Sequence, residues 1–383
     1  MFAINDRITA RQMFYQMVMS MLGIFLVVLP GYEGIHGYSG VACCFGGFLV
    51  CAVYSFFLVR ISVYHSHLEQ LLGRWGSRLY ALFMIAFFAF GGAYLTAFTY
   101  ELVSTYLVTN AFAPLFHGII LLACATAGIP QIQRRGRMAE VSFPILGVLI
   151  VGLLLVSCGQ QIWQEDTFWS YLRQDTTIKL PDILSGIYIL FAAAAGTWGL
   201  PFVLLDVKGN RYRFMAGALG ILFLILAAVL LLLQGSYGTY QVSLRRWPIV
   251  SLMGGIRILG GFVFRLDPIW IGLLLLLLFF SIGSTLFYAN VILKGMHLPV
   301  LSGGTFGQSS PKSKTWLITP AAVYLLSLVP TGYGRITEYF DTLLLYVFCP
   351  VLVLFHIVIG IKGAIYREEK HSIRKSDISN IGK

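Results

Sequence analysis

Two apolar stretches of the chain carry small residues at matching places, Met21-Leu22-Gly23 in the first and Ala192-Ala193-Ala194-Ala195-Gly196 in the sixth. Each is a place where a helix can unwind. A helix that stops in mid-membrane exposes unpaired N–H groups at the start of one half and unpaired carbonyls at the end of the other, with partial charges of about +0.5 and −0.5. A zwitterionic solute fits between such ends. In span one Ser20 and Leu22 flank Gly23, which permits close approach of the backbone to a ligand. In span six Ala192, Ala195 and Gly196 offer little bulk, Thr197 follows, and Pro201 removes a backbone donor and kinks the helix. Small residues also let membrane helices pack closely, so packing is the competing explanation at both places.

Other side chains with chemistry to offer lie on spans three and eight. Span three carries Tyr94, Tyr100 and Glu101. An ionisable group inside a span costs at least ~2.5 kcal/mol at the bilayer centre and is a functional candidate by default, here for a ligand ammonium or a coupled proton. Glu101 falls about seven residues from the expected end of its span, where a structural ion pair, with Arg265, is the alternative. Tyr94 and Tyr100 are candidate aromatic gates. Span eight offers the hydroxyls of Ser281, Ser284 and Thr285, although Ser and Thr commonly bond their own helix carbonyls.

These residues need a membrane around them. With 58% hydrophobic and 11% charged residues and a mean hydropathy of +0.80, 383 residues cannot hide their apolar surface in a soluble domain. A span takes roughly 20 apolar residues, and ten can be placed: 10–30, 39–59, 79–108, 114–130, 139–158, 184–205, 214–235, 267–290, 316–331 and 339–363. The expected fold class is all-α and polytopic. Matched interruptions five spans apart predict two inverted repeats meeting around a ligand, repeat one at about 8–158 and repeat two at about 184–363. They form one integral membrane domain, 1–366, followed by a flexible charged tail, 367–383.

Charge sets the orientation. Placing the N-terminus inside puts 20 of the 27 Lys and Arg on inner segments, so both termini are expected in the cytoplasm. Much of the net charge of +11 is then topology and attraction to anionic membrane lipid, and no nucleic-acid partner is expected. The first span, preceded by Arg7 and Arg11, is read as retained, since Gly31-Tyr32-Glu33 is a poor cleavage site. Six cysteines show no C-x-x-C pair and no metal spacing, so neither metal nor cofactor is expected. The histidines, among them His65, His67, His117 and His356, are not clustered in sequence. No nucleophile elbow, phosphate loop or H-E-x-x-H is found, and an enzyme is not expected.

Two connections are long enough to be structured. In 159–183, Trp163, Trp169 and Tyr171 suit interfacial anchors, and Glu165, Asp166, Arg173 and Asp175 a solvated face. In 236–266, the amphipathic stretch Pro248–Leu259, with Gly254, Gly255, Gly260 and Gly261, is expected either to cap the mouth as a hairpin or to lie in the interface. Arg137 and Glu140 are spaced to share a helical face, and Asp206 and Arg211 suit helix ends.

Ten spans with 5+5 symmetry and broken first and sixth helices resemble the amino acid, polyamine and organocation transporter superfamily, whose fold is LeuT-like. Local strings narrow the likeness. Met21-Leu22-Gly23 running to Leu29-Pro30, Gly136-Arg137-Met138-Ala139-Glu140, Arg246-Trp247-Pro248 with Ser251 and Ile256, and Arg265-Leu266-Asp267 resemble the endospore germination permeases, the GerAB-like B subunits of nutrient germinant receptors. The resemblance runs from Arg7 to about Arg367. It implies a small nutrient as ligand, an amino acid, and partner subunits of A type and lipid-anchored C type in the spore inner membrane. An amino acid permease in the cell membrane is the alternative. In sodium-coupled proteins of this fold, span-eight hydroxyls and carbonyls of the span-one break hold sodium, and Ser284-Thr285 fits that position. Trp198 makes the span-six break bulkier than alanine sensing would lead one to expect, and Leu273–Leu278 makes the outer half of span eight a packing surface.

Overall fold

The computed structural model describes residues 7–32, 34–108, 112–128, 132–162, 165–173, 180–256, 266–301, 317–329 and 340–381. Glu33, Trp163, Asp175, Leu259, Gly260, Gly261 and Arg265 of the sequence analysis lie outside these ranges. The helices are α1 Ala10–Val27, α2 Gly37–Ile61, α3 Leu68–Tyr106, α4 Ala113–Gly128, α5 Ile132–Ile162, α6 Glu165–Arg173, α7 Leu180–Ala193, α8 Arg211–Ser243, α9 Pro248–Gly255, α10 Asp267–Leu301, α11 Ile318–Ser327 and α12 Cys349–Ile381. The fold is all-α and polytopic. Among the described residues, six stretches, including Ile132–Gln161, Arg211–Ser243 and Asp267–Lys294, are long and apolar enough to cross a membrane, and Ala113–Ala127 and Ile318–Ser327 are shorter apolar helices.

Span six is interrupted where the sequence places it. α7 stops at Ala193, and Ala194–Phe202 continues as a nine-residue 3₁₀ segment. Such segments rarely exceed three or four residues, because their hydrogen bonds are poorly aligned. Pro201 supplies the cause: in an α-helix its ring would clash with the carbonyl of Thr197, and it has no N–H to donate. Span one differs from expectation. α1 runs through Met21-Leu22-Gly23 without a break and gives way to a 3₁₀ turn only at Leu29–Gly31, where Pro30 stands. A single helical glycine costs only about 1 kcal/mol relative to alanine. Gly23 is used for packing: a Cβ there would stand 3.2 Å from Leu277 Cβ and 3.2 Å from the Leu278 N of α10.

α10 is the central post, packed against α3, α1 and α4, while α2 packs on α8 and α7. In its first half Leu274, Leu277 and Leu278 face inward, each 0% exposed, while Leu276 on the opposite side is 50% exposed. Before α1, Ile8–Thr9 pairs in parallel with Val207–Lys208, which follow the 3₁₀ segment. Thr9 and Gln12 close a capping box at the start of α1, and Gln12 Nε2 also donates to Glu140 Oε2 of α5 at 3.0 Å.

The two long connections are structured. α6 seats Phe168 against Gly235 of α8, and its last carbonyls are taken up by Tyr38, which donates to Leu172 O at 2.6 Å, and Gln234, which donates to Tyr171 O at 3.2 Å. Trp169 and Tyr171 stay exposed, as interfacial anchors require. α9 buries Pro248, Ile249, Val250, Leu252 and Met253, so it is inserted into the protein and does not lie flat in the interface.

Histidines far apart in sequence meet in space. Tyr54 of α2 shares a hydrogen bond with His356 Nδ1 of α12 at 2.6 Å, His356 Nε2 shares one with Tyr80 of α3 at 2.9 Å, and Tyr80 continues to His65 Nε2 at 3.2 Å. His65 and His356 are 4% and 0% exposed. The chain of polar groups bolts three helices together inside an apolar surround, where each bond replaces water that cannot enter. Removing the central hydroxyl strands both imidazoles. Tyr80→Phe is expected to cost about 1–3 kcal/mol, read as a lower melting temperature of the purified chain in detergent, with an exposed control such as Tyr240→Phe leaving it unchanged.

Candidate functional site

A cavity of about 100 Å³ opens beside the interruption of span six. Ala192, Ala193, Ala195 and Gly196 form one wall, Ile24, Val28 and Leu29 of span one a second, and Phe87, Phe88, Gly91, Tyr94 and Leu95 of α3 a third. Tyr32, Ile189, Thr285 of α10 and Phe340, Asp341, Leu344 and Leu345 of span ten complete it. Gly196 is exposed to this space while its neighbours Ala195 and Thr197 are buried. A Cβ on Gly196 would find only Met21 Cγ, at 3.9 Å, so the glycine leaves volume open to a ligand.

The residues singled out in the sequence divide into two groups. Tyr94, Ala192, Ala195, Gly196 and Thr285 line the cavity. Ser20, Leu22, Gly23, Tyr100, Glu101, Thr197 and Ser281 are not part of its wall. Ser20 and Ser281 meet each other: Ser281 Oγ donates to the Ser20 carbonyl at 2.6 Å, tying α10 to α1 below the cavity. Thr197 Oγ1 donates to Ala194 O at 2.9 Å and braces the 3₁₀ segment from within. Tyr100 packs edge-on against His117 of α4. Trp198 turns away from the cavity and is sandwiched by Phe87, Tyr54 and Phe191, so its bulk does not narrow the space.

Glu101 has a partner other than the one expected. Its Oε2 accepts from Arg246 at 2.6 Å, joining α3 to the turn before α9, whereas Arg265 lies outside the described residues. Arg246 is 56% exposed, and a pair so open to solvent contributes little, about 0–1 kcal/mol. It acts as a surface tie and not as part of the pocket.

Span eight's hydroxyls are occupied too. Arg135, which the sequence analysis counted only as an orienting charge, is 4% exposed, donates to Ser284 Oγ, and lies with its guanidinium carbon 5.2 Å from the Phe287 ring centre. A fixed positive charge against Ser284 disfavours a sodium ion at the Ser284-Thr285 pair by like-charge repulsion. Thr285 Oγ1 donates to Ile282 O at 2.8 Å.

The sequence analysis passed over the carboxylate of this site. Asp341 stands on the cavity wall at the start of span ten, and the Tyr32 hydroxyl donates to it. It lies inside the span predicted at 339–363, so the rule that selected Glu101 applied to it equally. Tyr94, stacked on Phe340 at 4.7 Å between ring centres, closes the same end.

No family model matches the chain, and no curated protein matches it by sequence. Solved structures do match. A Na+-coupled sialic acid symporter in a substrate-bound, outward-open state superposes with a TM-score of 0.60 at 12% identity, covering 94% of this chain and 89% of that one. Mhp1, a nucleobase-cation-symport-1 family transporter, in a closed conformation with bromovinylhydantoin bound, gives a TM-score of 0.53 at 12% identity, covering 90% and 78%. The fold is therefore the LeuT-like fold of these transporters, and the chain is an integral, multi-pass membrane protein.

The contacts separate packing from pocket. Gly23→Val should lower the melting temperature, since overpacking against α10 costs about 1–3 kcal/mol. Glu101→Gln should leave it nearly unchanged. Both are read by thermal unfolding of the purified chain.

Proposed function

We propose that the chain binds a small nutrient, an amino acid or a close relative of one, in the cavity beside Gly196, and that binding shifts an equilibrium between packings of its two repeats, 8–158 and 184–363. The observation that carries this reading is the cavity itself, placed where a nine-residue 3₁₀ segment faces α1, α3 and α10. Unwound backbone at membrane depth is tolerated only where it is buried in protein or lines a cavity. Two transporters of this fold, a substrate-bound sialic acid symporter and Mhp1 with bromovinylhydantoin bound, support it.

For the biological role we favour the B subunit of a spore nutrient germinant receptor, working with A-type and C-type subunits in the spore inner membrane with both termini in the cytoplasm. Support comes from the local strings, in two of which a charged residue contacts a distant segment: Glu140 reaches Gln12, and Arg246 reaches Glu101. An amino acid permease that completes alternating access fits the transporter fold equally well. In neither role does the chain need to catalyse a reaction.

Binding and transport are separable in proteoliposomes. Labelled amino acids are expected to bind the reconstituted chain, and Gly196→Phe, which fills the cavity, is expected to abolish binding without unfolding the protein. Saturable accumulation inside the vesicles would make it a permease. Binding without accumulation, with germination lost in spores carrying Gly196→Phe, is the receptor outcome. Unchanged binding by a folded Gly196→Phe variant would remove the cavity from consideration.

A further inference from the structure

The cavity has a charge character. Its wall is built from aliphatic and aromatic side chains, and among the described residues it presents one ionisable group of negative sign, Asp341, and no basic side chain. Among the described residues, Arg246 is engaged with Glu101 and Arg135 with Ser284 and Phe287, and neither lines the cavity. Asp341 is only part-buried and lines the space together with Tyr32, whose hydroxyl donates to it.

A carboxylate in such a place attracts one kind of ligand group. Burying a charge is costly unless it is paired and hydrogen-bonded, and a ligand ammonium supplies both the opposite charge and up to three donors. Phe340 and Tyr94, stacked beside Asp341, add ring faces that favour a cation. A ligand bearing only a carboxylate would meet a like charge and find no cationic side chain on the wall. Size narrows the choice further: a dry cavity of roughly 150 Å³ accepts benzene, so about 100 Å³ suits a branched alkyl group of a few carbons.

We propose that this cavity is an organic-ammonium site, in which Asp341, steadied by the Tyr32 hydroxyl, takes the positively charged nitrogen of a small ligand whose apolar body lies among Phe87, Phe88, Phe340 and Leu344. The assignment deepens the proposed function and rests on it: the amine end of the nutrient is recognised by a side chain of span ten, and its carboxylate, where it has one, is not held by a basic side chain.

Four probes that share an isopropyl-bearing body test it: isobutylamine, valinol, valine and 3-methylbutanoate, measured by calorimetry on the full chain in lipid nanodiscs. The three ammonium compounds are expected to bind and 3-methylbutanoate to bind at least tenfold more weakly. Asp341→Asn should weaken isobutylamine at least tenfold, with Asp341→Glu retaining part of the affinity. The wild-type ranking decides the matter even if the asparagine variant does not fold. Equal affinity for isobutylamine and 3-methylbutanoate, or an unchanged affinity in a folded Asp341→Asn protein, overturns the ammonium assignment. If those results come with binding that Gly196→Phe abolishes, the pocket stands and only its charge preference falls. If none of the four compounds binds the wild type, both fall.

Discussion

The backbone between Ala194 and Phe202 is the constraint around which the rest of the molecule is arranged. In hydrocarbon, a main chain that abandons α-helical bonding has no water to turn to. The protein meets this by surrounding the segment with helices: α2 lies along it, α1 and α10 touch it, and Trp198 fixes its far side among Phe87, Tyr54 and Phe191. Gly199 is pressed so closely by Phe88 and Tyr288 that a Cβ there would stand 2.6 Å from the Phe88 ring. The face at Ala192–Gly196 is the one left less crowded, and it is there that the cavity forms.

Much of this was legible in the residues. Composition and the length of apolar runs identify a polytopic membrane chain because the bilayer allows few alternatives. Pro201 with its small neighbours marks the interruption of span six because proline acts locally, whatever surrounds it. Gly23 misled for the converse reason: glycine permits unwinding without requiring it, and whether it unwinds or packs depends on α10, which lies some 250 residues away in sequence. Contacts between distant segments were out of reach in the same way, the Tyr54, His356, Tyr80 and His65 chain among them.

Arg135 and Asp341 show a different lapse. Both stand as charges at the edges of spans; Arg135 was counted only as an orienting charge, and Asp341 drew no reading at all. Their partners inside the protein set them apart. At a span boundary, sequence cannot tell a side chain that reaches out to headgroups from one that turns inward, since helix rotation decides between them. Arg135 turns toward Ser284 and Phe287, and Asp341 toward Tyr32.

The short parallel pairing of Ile8–Thr9 with Val207–Lys208 has a mechanical meaning. It yokes the leading end of span one to the trailing end of span six, on the same side of the bundle. Neither end can swing away by itself without tearing main-chain bonds, so a passage on that side would have to open by carrying both ends together as one rigid lever.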